Sequence, residues 1–159
     1  MNKRSLSPCL LSFIGDEPVL NTKQMVLAAL CRPTTLRSWR LRNGLFPHHR
    51  CDGSHTKYTV SDAIGIRLLT ELICKGFKTQ YSVDILNALR PYLDAAARGY
   101  GSRIGLLRSA NSGSFELKEI SIRGVNDPFC QLSGSVLIAV DLDAIFSEVW
   151  GALTEGRPS

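Results

Sequence analysis

The chain has no run of 18 or more apolar residues, so no membrane-spanning helix is expected. Its five cysteines form no CxxC pair, and their number is odd. That argues against a disulfide framework and fits reduced thiols in a cytoplasm. There is no glycine-rich phosphate-binding motif, no internal repeat and no low-complexity segment. The opening stretch MNKRSLSPCLLSFIG has two basic residues before apolar ones. The apolar part is short, interrupted by serine and Pro8, and has no small-x-small cleavage motif. Residues 1–19 therefore read as a tail rather than an export signal.

What is present supports a folded chain. Of 159 residues, 44% are hydrophobic and 21% charged, enough to build a core. The net charge of +5 is unevenly spread. Residues 1–78 hold 12 Lys and Arg against 5 Asp and Glu, a balance of +7; residues 79–159 hold 7 against 9, a balance of −2. This asymmetry points to a polyanion-binding N-terminal part and a C-terminal part with another task.

Asn21 and Thr22 are good capping residues before KQMVLAAL, where Met25, Val26, Ala29 and Leu30 can form one face. A short helix is predicted at about 22–30. Cys31-Arg32-Pro33 breaks it, and Pro33 suits the start of the next helix. In TTLRSWRLRN, Leu36 and Trp39, with Leu41 as a further candidate, supply an apolar side. Arg37, Ser38, Arg40 and Arg42 supply a basic, polar one, and Gly44 is a natural left-handed cap. Two short helices joined by a tight turn, the second strongly basic, form the helix-turn-helix pattern.

A polar hairpin is predicted next, with its tip near Asp52-Gly53. Ser61-Asp62 are expected to cap a helix buried through Ile64, Leu68, Leu69, Leu72 and Ile73 and closed by Gly76. Ser82 is expected to cap another, with Val83, Leu86 and Leu89 on one side and Pro91 breaking or kinking it. Beyond Gly99 the pattern changes. IGLLRSA, FELKEISI and SVLIAV read as strands, and Asp141 as the cap of an amphipathic helix buried through Leu142, Ile145, Phe146, Val149 and Leu153. The pair Asp141 and Asp143 resembles the metal-binding end of a phosphotransferase sheet. A helix cap with a first-turn acid accounts for it more simply.

The segments TLRSWRLRNGLFP and KYTVSDAIGIRLLTELICKGF together resemble the DNA-binding domain of the MerR family of transcription regulators. Leu36-Arg37, Trp39, Gly44-Leu45, Pro47, Lys57-Tyr58, Asp62 and Gly76-Phe77 carry the likeness, in that order, over about residues 20–90. Three residues depart from the family pattern. Leu30 stands where a glycine is usual, Ser38 where a tyrosine is, and Arg40 where an acidic residue is common. The family's long dimerising helix has no counterpart, because residues 82–98 are short and contain Pro91.

Patterning and resemblance together predict an α+β chain in three parts: a tail at 1–19, a winged helix-turn-helix at 20–98, and a small strand-rich dimerisation or effector segment with a C-terminal helix at 99–159, the last resembling no known family. The resemblance implies a sequence-specific regulator that reads double-stranded DNA with a recognition helix at about 34–43 and a wing at about 46–58. Arg37 and Arg40 are the expected base readers, since arginine pairs with guanine O6 and N7 in the major groove. Thr34, Thr35, Ser38 and Arg42 belong to the same helix, and Arg50, Lys57 and Tyr58 to the wing and its exit. Tyr58 has two possible roles, packing beneath the wing or touching phosphate; Trp39 is expected in the core.

All three histidines, His48, His49 and His55, lie with Cys51 in PHHRCDGSH, where the wing belongs. These are four possible zinc ligands, but neighbours on one short hairpin rarely converge on a metal. The expectation is a cationic wing tip with no metal, no cofactor and no catalytic role. The histidines would make DNA affinity modestly pH-sensitive. A homodimer through the C-terminal segment is expected. The alternatives are a phage-type excisionase or architectural DNA-binding factor, or a protein-interaction module that does not bind DNA.

Overall fold

The computed structural model describes residues 17–45, 56–100, 103–108, 115–119 and 137–155. Helix α1 spans Thr22–Ala28 and opens on a reciprocal cap. The Asn21 side chain accepts from the Gln24 amide at 2.9 Å, and the Gln24 side chain accepts from the Asn21 amide at 3.0 Å. Helix α2, Pro33–Asn43, starts on its proline and ends at Gly44, whose φ of 65° is the left-handed cap conformation. Between them Leu30 adopts a φ of 50°. A turn of this hand favours glycine, and leucine there costs about 1 kcal/mol.

Helix α3 spans Val60–Cys74 and is buried along most of its length. Its cap is Thr59, not Ser61. The Thr59 hydroxyl accepts from the Asp62 amide at 3.1 Å, and Asp62 Oδ2 accepts from the Thr59 amide at 2.9 Å. Asp62 thus sits at the third helical position, where a carboxylate can reach back to the cap. Helices α4, Thr79–Ala88, and α5, Arg90–Ala97, are the two pieces expected from Pro91. The first begins earlier than predicted, after Lys78. Ser82 lies one turn inside, buried, with its hydroxyl donating to the Lys78 carbonyl at 3.1 Å.

Strands β1 (Arg103–Arg108), β2 (Phe115–Glu119) and β3 (Leu137–Asp141) form an antiparallel sheet in the order β2-β1-β3. All three lie in segments predicted as extended. In the register, Ile104 pairs with Val140, both buried, and the backbone of Leu106 pairs with Leu117 of β2 and Ile138 of β3. Arg103 Nε donates to Asp141 Oδ2 at 2.9 Å across the same pair of strands. Strand β3 runs straight into helix α6, Leu142–Glu155. As expected, Asp141 caps that helix, accepting from the Ala144 amide at 3.1 Å.

The chain is mostly helical with one small sheet, an α+β protein. Its core crosses the boundary expected at 98/99. Helix α6 packs against α1, α3 and α5, and Leu142, Val149, Ile104 and Val140 share one cluster with Met25, Leu36, Ile64, Leu69, Leu86 and Leu93. Ile145, Phe146 and Leu153, expected to be buried, are only partly covered. Phe146 stacks on Trp150 with ring centroids 5.9 Å apart. Arg67 on α3 reaches Glu148 on α6 at 2.8 Å and its own neighbour Glu71 at 2.9 Å. Gly65 lets the helices close on one another: a Cβ there would meet Leu86 Cδ1 at 3.0 Å and Leu93 Cδ1 at 3.3 Å. No helix among the described residues is long and apolar enough to cross a membrane.

Candidate nucleic-acid interface

Between Glu17 and Asp52 the sequence contains no acidic residue. Within that stretch α2 anchors itself by Leu36 and Trp39, which are buried at 1% and 7% exposure. Burying those two fixes the rotation of the helix and turns the opposite face outward. That face carries Thr34, Arg37, Ser38 and Leu41, spaced i, i+3, i+4, i+7. Thr34, Arg37, Leu41 and the adjoining Arg42 are exposed; Thr35 and Ser38 are half-buried. Leu41, a candidate for the apolar side, is instead 74% exposed. Four residues on from Arg37, it falls on the outward stripe.

Arg40 takes a different path from Arg37. Its NH1 donates to Thr56 Oγ1 at 3.2 Å and to Tyr58 Oη at 3.0 Å. Its guanidinium lies over the Tyr58 ring, 5.7 Å from the centroid. Arg40 is half-buried, and Tyr58 is buried to 1% exposure, so the tyrosine takes its packing role. Backbone bonds hold Tyr58 as well: its amide donates to the Leu20 carbonyl at 2.7 Å, and its carbonyl accepts from the Leu20 amide at 2.9 Å. The described partner of this extended segment is therefore the chain before α1. Arg40 and Tyr58, both expected at the DNA, together clamp residues 56–58 against α2. The clamp leaves Lys57 exposed beside it.

A measurable consequence follows for the clamp. Arg40→Ala removes two hydrogen bonds and a cation–π contact from a half-buried position. It is expected to cost about 1–2 kcal/mol of stability. A thermal melt lowered by several degrees would show this; an unchanged melt would count against the clamp.

A second contact adds residues that the sequence reading passed over. Asn43 Nδ2 at the end of α2 donates to Gln80 Oε1 in the first turn of α4 at 3.3 Å. This bond brings the α3–α4 connection, with exposed Lys75 and Lys78, to the C-terminal end of α2. Tyr81 in that turn is also exposed, at 42%. The signal in the sequence is the pair of lysines flanking Gly76-Phe77. Three cationic segments thus meet at α2: its own outer face, Lys57, and the 75–78 connection.

Arg50, His48, His49, Cys51 and His55 lie outside the described residues. Among the described residues no group of three or more His, Cys, Asp or Glu side chains is arranged to hold a metal. Cys31 sits just after the α1–α2 turn, and burial pushes its thiol up to about 11, so it is protonated at neutral pH. No protein-family model matches the chain, and no curated protein matches it in sequence.

Proposed function

We propose that the protein is a sequence-selective double-stranded DNA-binding regulator with a MerR-like winged helix-turn-helix, α2 being the helix that enters the major groove. The observation that carries this reading is the outward face of α2. Thr34, Arg37 and Ser38 line it, Arg42 of the same helix adjoins it, and Lys57, Lys75 and Lys78 lie on segments tied to the helix by the Arg40–Tyr58 and Asn43–Gln80 bonds. Arg37 offers paired donors to a guanine edge, while the lysines are phosphate neutralisers.

Dimerisation through the C-terminal segment is part of the proposal, because paired half-sites raise both affinity and specificity. The apolar SVLIAV strand and the Phe146–Trp150 pair of α6 motivate it. Sedimentation of the full chain at micromolar concentration tests this; a monomer removes the dimer.

The DNA reading is tested by selecting duplexes from a random pool and titrating the winner against salt. Arg37→Ala is expected to weaken binding to the selected site roughly 5- to 150-fold, with little change in salt slope. Lys78→Ala is expected to weaken all duplexes alike and to reduce the slope by about 1. If no duplex is enriched and neither substitution matters, the reading fails and protein partners become the next search.

A further inference from the structure

Among the exposed large apolar side chains of the described residues, Leu41 is the most exposed, at 74%. It sits where the fold gains nothing from it. Leu36 and Trp39 already anchor α2, and the other exposed residues of the helix are Pro33, Thr34, Arg37 and Arg42. Leu41 completes the stripe begun by Thr34, Arg37 and Ser38. The recognition helix of homeodomains reads the major groove from this same i, i+3, i+4, i+7 spacing.

We propose that Leu41 is a base-reading residue whose side chain packs on the C5-methyl of a thymine in the major groove. The inference rests on the DNA-binding reading above and names part of the sequence that would be read. The surroundings select the occupant. A leucine set between Arg37 and Arg42, in a stretch without acidic residues, calls for a partner that is anionic overall yet presents an apolar spot. B-form DNA meets both needs, because each A·T pair places one methyl group in a groove walled by phosphates. RNA is equally anionic but lacks the apolar spot, since uracil has no methyl and the major groove of an A-form helix is too narrow to be read. The four residues from Arg37 to Leu41 span about 6 Å of helix, against roughly 3.4 Å per base pair. The thymine therefore lies within about two base-pair steps of the guanine read by Arg37.

The test uses the full chain and the duplex selected from the random pool. Each thymine is replaced in turn by deoxyuridine, which removes only the methyl, and affinity is measured for wild type and Leu41→Ala. Wild type is expected to lose about fourfold at one thymine, the worth of one buried methyl group. Leu41→Ala is expected to bind both duplexes equally, more weakly than wild type, and to melt at the wild-type temperature because the side chain is exposed. A selected duplex that tolerates every replacement, or a Leu41→Ala protein that still discriminates, overturns the proposal and leaves DNA binding intact. Failure to enrich any duplex overturns the DNA-binding reading itself. A Leu41→Ala protein with undiminished DNA affinity but altered sedimentation would assign the leucine to a protein contact, and would also overturn it.

Discussion

Val149→Asp is expected to unfold the protein or lower its melting temperature by more than 10 °C. Val149 has no exposed surface and belongs to the cluster that joins α6 to α1, α3 and α5. A carboxyl group there has to stay protonated without a hydrogen-bond partner, or draw water into the core. Either route costs about 4 kcal/mol or more, a large part of the 5–15 kcal/mol that holds a typical domain together. Ser147→Asp, on the exposed side of the same helix, is the control and is expected to change stability by less than about 0.5 kcal/mol. Circular dichroism melts of the two variants decide the matter. If Val149→Asp melted like wild type, α6 would not complete the core, and residues 20–98 would stand as a folding unit of their own.

The second large effect is expected at Asp62. Its side chain has no exposed surface, yet it is ionisable and has charge-assisted support on both oxygens. One oxygen accepts from the Thr59 amide at the start of α3, and the other from Arg90 NH1 on α5 at 2.6 Å. Arg90 also approaches Asp94 Oδ1 at 3.3 Å, and Ser61 donates to that same oxygen. The cap of the central helix and the start of the helix after the Pro91 break are therefore held by one polar cluster. Asp62→Ala removes the cap and the buried half of the ion pair together. Arg90 is 36% exposed and can turn to water, which keeps the cost at the low end for a broken buried pair, about 3 kcal/mol. At roughly 2–4 °C per kcal/mol for a chain of this size, the melt should fall by about 6–12 °C. Asp62→Asn, which keeps the shape and loses the charge, should fall between. A shift below 1 °C for Asp62→Ala would show that the cluster adds nothing to stability.

The two expectations also show why some features could be read in advance. Asn21, Gly44, Pro91 and Asp141 mark helix ends by chemistry confined to three or four residues: a side chain reaching an amide, a left-handed φ, a missing N–H. Such signals need no tertiary partner. The cap of α3 was misplaced by two residues because Thr59, Ser61 and Asp62 all qualify locally. Reciprocal bonding, which involves the whole first turn, singles out Thr59. Ser82 misled for a related reason. Inside a helix its hydroxyl satisfies itself on the preceding turn and needs no helix end.

The candidate interface was legible only in part. That α2 is basic, and that Leu36 and Trp39 anchor it, follows from residue type and spacing. Which arginine faces outward does not. Arg37 and Arg40 are chemically identical and three positions apart. They part ways because Tyr58 and Thr56, sixteen or more residues later, return beside Arg40. The same holds for Lys75 and Lys78, which join the surface through the Asn43–Gln80 bond.

The sequence by itself determined the α+β class, the order of the elements and most of their ends, because periodicity and capping act over a few residues. Only the tertiary structure decided three further things. It seated α6 in the core of the N-terminal helices, paired a buried Asp62 with Arg90, and separated an inward Arg40 from an outward Arg37 and Leu41. Each depends on which distant surface covers a given side chain. Burial is a property of the packed whole, and no local pattern of residue types contains it.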